Sequence, residues 1–354
     1  MINNQFTSII IAWYNTNKRQ LPWRDTKNPY FIWISEIILQ QTRVSQGLPY
    51  YNRFIKAFPT IKHLALAQEK EVLSLWQGLG YYSRARNMHK CAQIVQKNLN
   101  GNFPNNFEAL LKLPGIGPYT AAAVDSLAFN NPSPVVDGNV YRVLARVFGI
   151  ENNIADAKSF KLFFDLSKEL IDSAQPGTYN QAVMEMGATV CAPQNPQCDN
   201  CPLNEICYAW AHKKQKELPV KIKKTRNRKR HFSYLVIEQN GKFALKVRDG
   251  KDIWQGLYEF YLIETDAQTL PDVLESDLLK KLFERGAIIN HEKDMPKHIL
   301  SHQTIISSFL HIKLSSDECW SKLLNENQLV LYSLSEIEVL PKPVLISKYL
   351  NSVS

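Results

Sequence analysis

Four of the six cysteines fall within 17 residues, with Cys191, Cys198, Cys201 and Cys207 in the pattern C-x6-C-x2-C-x5-C. Disulfide frameworks belong to small secreted domains that cannot build a sufficient core. A chain of 354 residues, 45% of them apolar, has no such need. The array is therefore expected to hold a metal. Zinc sites usually combine two C-x2–4-C knuckles, and only Cys198 and Cys201 have that spacing. One compact loop wrapped around a larger object suits an iron–sulfur cluster better. Cys91 and Cys319 stand alone in apolar surroundings and are expected to be simply buried.

Around this loop the chain changes texture. Up to residue 212, segments such as FIWISEIILQQT, EVLSLWQGL and NVYRVLARVFGI repeat apolar residues every three or four positions, which predicts about ten helices. Residues 213–230, KKQKELPVKIKKTRNRKR, carry ten basic residues and one acid with little apolar pattern, and read as a linker. From His231 the pattern turns strand-like. HFSYLVIEQNGKFALKV has an Asn240-Gly241 turn between two β-rich runs, a hairpin signal. LYEFYLI, TIISSFLHIKL and QLVLYSL add strands, and helices are expected near 272–285 and 343–350. An all-α domain over 1–212 and an α+β domain over 231–354 follow.

Charge is divided in the same way. The net +9 of the chain resolves into +13 over residues 1–230 and −4 over 231–354. Such a surplus in the helical part points to a polyanion, nucleic acid in the first place. No run reaches the roughly 20 apolar residues of a membrane span. The opening MINNQFTSIIIAWYNTNKRQ lacks a basic n-region and cleavage site. The expected location is cytoplasmic, near the nucleoid if the source is bacterial.

Two carboxylates and one turn carry the chemistry. LPGIGPYTAAAV, from Leu113 to Val124, feeds a helix through Gly115 and Gly117, which lets backbone N–H groups approach a phosphate. Pro118 suits the first helical turn. Asp137 stands where an N-cap belongs, and there the helix dipole favours its ionised form. On the residues alone a purely structural cap is the better reading. Glu36 lies mid-helix beside Trp33, Ile37 and Leu39, where a carboxyl that is buried holds its proton longer. By periodicity alone it could also face solvent. A neutral and an ionised carboxyl together suit acid-assisted cleavage of an N-glycosidic bond.

These motifs resemble those of the helix-hairpin-helix DNA glycosylases, the endonuclease III and adenine glycosylase families, over nearly all of residues 1–215. The cysteine array is similar to their 4Fe–4S loop, LPGIG to their hairpin, and VVDGNVYRV to the segment with their aspartate. The resemblance implies a six-helix module over about 22–130 and a cluster module from about 1–21 and 131–212. In adenine glycosylases of the MutY type the residue matching Glu36 protonates adenine at N7, and that matching Asp137 stabilises the oxocarbenium ion. Tyr119 and Asn139 then assist around the sugar, while Arg24 and Gln181 lie near the flipped base; some relatives have glutamate in place of Gln181. Endonuclease III carries a lysine where Tyr119 stands. A phenol forms no Schiff base, so base removal without strand cleavage is implied.

LQQTR and WQGLGYYSRAR resemble the loops that open the duplex in the MutY family. By that resemblance Gln41 and Tyr81 intercalate, Leu79 wedges and Thr42 contacts the opposing nucleotide. Gly78 and Gly80 suit an exposed loop. The C-terminal domain resembles the Nudix-like recognition domain of the family, through DIWQGLYEFYL and the ILSHQ loop. Ser301 would then hydrogen-bond 8-oxoguanine and His302 probe its neighbourhood, with Leu300 where relatives often have phenylalanine. No Glu-rich Nudix helix follows Gly256, which argues against pyrophosphatase activity. The implied partner is double-stranded DNA with adenine opposite 8-oxoguanine or guanine, bound by a monomer.

Overall fold

The computed structural model describes residues 2–222, 228–250, 252–265, 275–300, 302–315 and 320–353. Twelve helices come first. They are α1 (Ile2–Asn17), α2 (Pro29–Leu39), α3 (Val44–Ala57), α4 (Ile61–Leu66), α5 (Glu69–Trp76) and α6 (Ser83–Asn98). Then follow α7 (Phe107–Leu111), α8 (Pro118–Phe129), α9 (Gly138–Phe148), α10 (Ala157–Leu170), α11 (Pro176–Thr189) and the short α12 (Tyr208–Ala211). The chain divides into two compact units, Met1–Leu66 with Asn87–Lys224, and Ala67–Arg86 with Thr225–Ser354. Segment 67–86, read from sequence as part of the helical domain, thus groups with the C-terminal residues.

In the helical unit, α11 is the hub. Its buried face from Pro176 to Gly187 packs on α1, α8 and α9. Gly187 permits the closest approach, since a Cβ there would meet Asn139 Cβ at 2.6 Å. α2 is buried almost all round, from Tyr30 to Ile38, and lies against α8 and α3. Its first turn is set by Asn28, whose side chain accepts from Tyr30 N, and by Pro29. The helix stops at Leu39, earlier than the run FIWISEIILQQT suggests, because Gln41 turns left-handed at φ 55°.

The second unit contains seven strands. They are β1 (Arg228–Gln239), β2 (Lys242–Val247), β3 (Tyr258–Glu259), β4 (Tyr261–Thr265), β5 (Ile288–Ile299), β6 (Gln303–Lys313) and β7 (Val330–Tyr332). The order is β3-β2-β1-β6-β5, with β4 paired to β1 and β7 to β2, and β1 runs parallel to β6. Asn240 and Gly241, at φ 51° and 73°, make the expected hairpin turn. Arg228 to Arg230 belong to β1, not to the linker, because β6 pairs with them along its first residues. β5 lies on an edge of the sheet.

β1 alternates in the manner of a strand buried on both faces. Phe232, Tyr234 and Val236 join one core with Phe309 of β6 and Tyr349 of the last helix. Leu235 and Ile237 join the other, with Leu279 and Leu282 of the helix Asp277–Glu284. Helices therefore cover the sheet on both sides. Strands β3 and β4 follow Gly256. Cys91 is buried, and Cys319 lies outside the described residues.

Candidate active site

α2, α8, α9 and α11 place their functional side chains together inside the helical unit. Glu36 on α2 is 6% exposed. Tyr119, the second residue of α8, donates its hydroxyl to Glu36 Oε2 at 2.8 Å and lies 3.5 Å from Met184 Sδ on α11. Burial is the largest influence on Glu36 and raises its carboxyl to about 7. Asp137 nearby adds to the rise, while the Tyr119 hydrogen bond and the Arg24 charge oppose it. The phenol is itself held far above its ordinary value by burial and by the two carboxylates, so it stays protonated and donates.

Asp137 is the N-cap of α9. Its Oδ1 accepts from Asn139 N at 2.9 Å and Val140 N at 2.8 Å, and its Oδ2 accepts from Asn139 Nδ2 at 2.8 Å. The expected lowering of this carboxyl does not occur. Partial burial outweighs these donors and raises it. Both acids are therefore raised by desolvation. The difference between them lies in hydrogen bonding: three donors face the anion of Asp137, and one phenol faces Glu36.

Arg142, one turn along α9, ties this cap to its surroundings. It donates to Asn139 Oδ1 at 2.8 Å, to Gly187 O at 2.7 Å and to Cys191 O at 2.7 Å. Sequence reasoning missed Arg142 and Gly187. The only signal for Arg142 was its place three residues after Asn139 on a helix starting at Asp137.

Arg24 and Gln181, expected near the base, do meet. Arg24 Nε donates to Gln181 Oε1 at 3.2 Å. Arg24 Nη2 also pairs with Glu185 Oε2 at 2.6 Å, a contact that no local pattern announced.

Next along the chain, the four cysteines line one largely apolar cavity with Val143, Val147, Leu203 and Arg146. Arg146, a turn beyond Arg142, donates to Ala192 O at 2.8 Å and approaches Cys191 Sγ at 3.3 Å. Burial raises the thiols of Cys198, Cys201 and Cys207, the second to about 11. Among the described residues no three His, Cys, Asp or Glu gather closely enough to hold a single metal ion. An all-sulfur donor set around a cavity fits a cluster in chemistry.

The hairpin is α7, residues 112–117 and α8. Gly115 has φ 76°, and a Cβ there would strike Asn87 Cβ at 2.7 Å. Gly117, the N-cap of α8, has open space on its Cβ side. Gly115 and Gly117 are both exposed at this helix start.

Of the residues expected to open the duplex, Gln41 and Tyr81 are exposed and left-handed, at φ 55° and 48°. That backbone costs a non-glycine residue about 1–3 kcal/mol. Thr42 donates to Gln40 O at 3.3 Å. Leu79, expected as a wedge, is buried between Gly78 and Gly80, both at positive φ. Tyr81 is the exposed aromatic of that loop, and Arg84 lies against its ring and that of Trp76. Within the same unit Arg86 donates to Gln255 O, and Tyr82 to Lys342 O at 3.4 Å.

In the C-terminal unit, His302 is exposed and its carbonyl accepts from Arg228 N at 3.3 Å. Leu300 N donates to Gln303 O at 2.8 Å, closing the turn. Ser301 lies outside the described residues.

Comparisons with known proteins bear on this arrangement. Residues 34–168 match the family described as HhH-GPD superfamily base excision DNA repair protein, and residues 233–352 match the NUDIX domain. The chain is 34% identical over 351 residues to an adenine DNA glycosylase of Buchnera aphidicola subsp. Baizongia pistaciae, covering 98% of this chain and 96% of that one. It is 41% identical over 257 residues to the protein of that name from Buchnera aphidicola subsp. Acyrthosiphon pisum, covering 72% and 73%. The solved structure of a thermostable thymine-DNA glycosylase superposes with a TM-score of 0.55 at 30% identity, over 59% of this chain and 97% of that one.

Proposed function

Because this chain belongs to the adenine DNA glycosylase family of base excision repair, we propose that it hydrolyses the N-glycosidic bond of adenine mispaired with 8-oxoguanine or guanine, after flipping the base. The observation that carries this reading is Glu36, a carboxyl 6% exposed and held near 7, with a neutral phenol on its Oε2. Near neutral pH it keeps a proton to give.

The roles follow from the geometry. Glu36 donates its proton to the departing adenine, so the bonding electrons leave with a neutral base. Asp137, with three donors fixing its oxygens, stabilises the positive charge that grows on the sugar. Asn139 and Arg142 hold Asp137 in place, and Tyr119 orients the acid. Arg24 and Gln181 line the base side. A phenol cannot form an imine, so the strand stays intact once the base has gone.

Binding is divided between the units. The amides beside Gly115 and Gly117 hold a DNA phosphate. In the helical unit Gln41 and Thr42 prop the opened duplex, and in the other unit the exposed Tyr81 does so while Leu79 stays buried beneath its loop. Ser301 and His302 read the opposing 8-oxoguanine. Cys191, Cys198, Cys201 and Cys207 would hold one 4Fe–4S cluster, which when bound supplies a rigid charged loop beside α9. Iron analysis should give about four irons per chain; stoichiometric zinc would contradict the cluster.

Duplexes with adenine opposite 8-oxoguanine or guanine test the reading, with and without alkali. The expected result is free adenine, with strand breaks only after alkali. Nicking of thymine-glycol duplexes without alkali would favour a lyase of the endonuclease III type. Failure to release adenine from either duplex, with DNA binding intact, would overturn the proposal.

A further inference from the structure

Glu185 on α11 is 1% exposed at its side chain and serves two guanidinium groups. Arg19 donates to it through its backbone N at 3.0 Å, Nε at 2.7 Å and Nη2 at 2.6 Å. Arg24 donates through Nη2 at 2.6 Å. The remaining Arg24 nitrogens donate to Arg19 O at 2.9 Å and to Gln181 Oε1 at 3.2 Å, and its guanidinium lies 5.5 Å from the centre of the Tyr14 ring. Every nitrogen of Arg24 is thereby committed, and the amide of Gln181 is turned with its oxygen toward Arg24.

We propose that Glu185 is a positioning residue of the active site, locking Arg24 against Gln181 and offsetting its charge so that Glu36 can keep its proton. The inference rests on the reading of Glu36 as the acid. Two arginines and one glutamate give this triad a net charge of +1. Without the carboxylate it would be +2, beside an acid that must stay neutral. Arg24 already opposes the rise at Glu36.

The charged and titratable groups acting on Glu36 are Tyr119 from α8, Asp137 at the start of α9, and Arg24 from the segment between α1 and α2. Those around the triad are Tyr14 from α1, Asp25 beside Arg24, Lys18 over the Tyr14 ring, and Lys27, which lines the same pocket as Arg24 and Gln181. Burial opposes ionisation of Glu185, but the hydrogen bonds from Arg19 and Arg24 bring it down to about 2. It therefore remains an anion at every pH at which the enzyme works.

Single-turnover adenine release, followed against pH in the cluster-loaded full chain, tests the proposal. Glu185→Gln should move the basic limb to lower pH by about half a unit to one unit, and lower the plateau as Arg24 loosens. Arg19→Met, at a side chain 39% exposed, takes a cation from the triad. It should move the limb the opposite way, and it keeps the test open if Glu185→Gln does not fold. A limb unmoved in whichever of these variants folds would leave Glu185 a structural residue and overturn the inference. Glu36→Gln is the control. Should it still excise adenine, or should the wild type show no basic limb, the assignment of the acid fails instead.

Discussion

The two units of this protein treat buried charge in opposite ways. In the C-terminal unit Arg230 Nη2 reaches Asp252 and Glu264, each at 2.6 Å, while Arg248 reaches Asp252 at 2.8 Å and Glu259 at 2.9 Å. Three carboxylates and two guanidiniums pair there, and the network ties β1, β3 and β4 to the segment after β2. In the helical unit Glu36 makes no salt bridge among the described residues, and burial holds it near 7. The same unit also pairs a buried carboxylate, as Glu185 does with Arg19 and Arg24. Arginines tie down the acids of one unit, and burial without a salt bridge leaves Glu36 a raised carboxyl in the other.

Replacing one member of each class should sharpen the contrast. Glu36→Gln should reduce single-turnover adenine release by about 10²- to 10⁴-fold. It should also make the protein more stable. A carboxyl raised in the folded state contributes fully below its unfolded value of 4.5, and that contribution is lost as pH rises through about 7. The neutral amide should recover on the order of 3 kcal/mol above pH 7, measurable by urea unfolding. A less stable Glu36→Gln protein would break the comparison. Arg230→Met should do the reverse. It leaves Asp252 to Arg248 and Glu264 only to Arg228 at 3.9 Å, and should cost about 1–3 kcal/mol, less than breaking a fully buried pair because both acids keep a third of their surface in water. Unchanged stability would show that the network does not brace the sheet.

Smaller effects belong to the hairpin and the phenol. Gly115→Ala combines a left-handed backbone with a clash on Asn87, and should cost about 1–3 kcal/mol. Binding to undamaged DNA should weaken with it. Tyr119→Phe removes the one hydrogen bond that favours the anion of Glu36, so the basic limb of activity should rise by about one pH unit or less. A fall would mean that the phenol acts on the sugar rather than on the acid.

What the sequence made legible was local. The cysteine spacing, the Asn240-Gly241 turn and the Pro118 helix start each depend on a few adjacent residues. Glu36 could not be assigned a face, because α2 is buried almost all round and periodicity has no polar side to register. The Glu185 triad joins residues 161 and 166 positions apart, which no pattern along the chain records. β5 escaped notice for a different reason. It is an edge strand, largely exposed, with Pro296 at a register shift between Met295 and His298, so alternation is weak. Leu79 looked like a loop residue because glycines flank it, yet those glycines turn the chain so that it is buried. The rise at Asp137 was misjudged because a cap was weighed without its burial.

The central claim is that burial without a cation makes Glu36 the acid. The most direct test is the pH dependence of adenine release by the wild-type enzyme under single-turnover conditions, on adenine opposite 8-oxoguanine. The account expects the rate to fall with rising pH through a midpoint near 7, where Glu36 loses its proton. A rate that stays level to about pH 9 would contradict it, since a carboxyl held as an anion across that range has no proton to give.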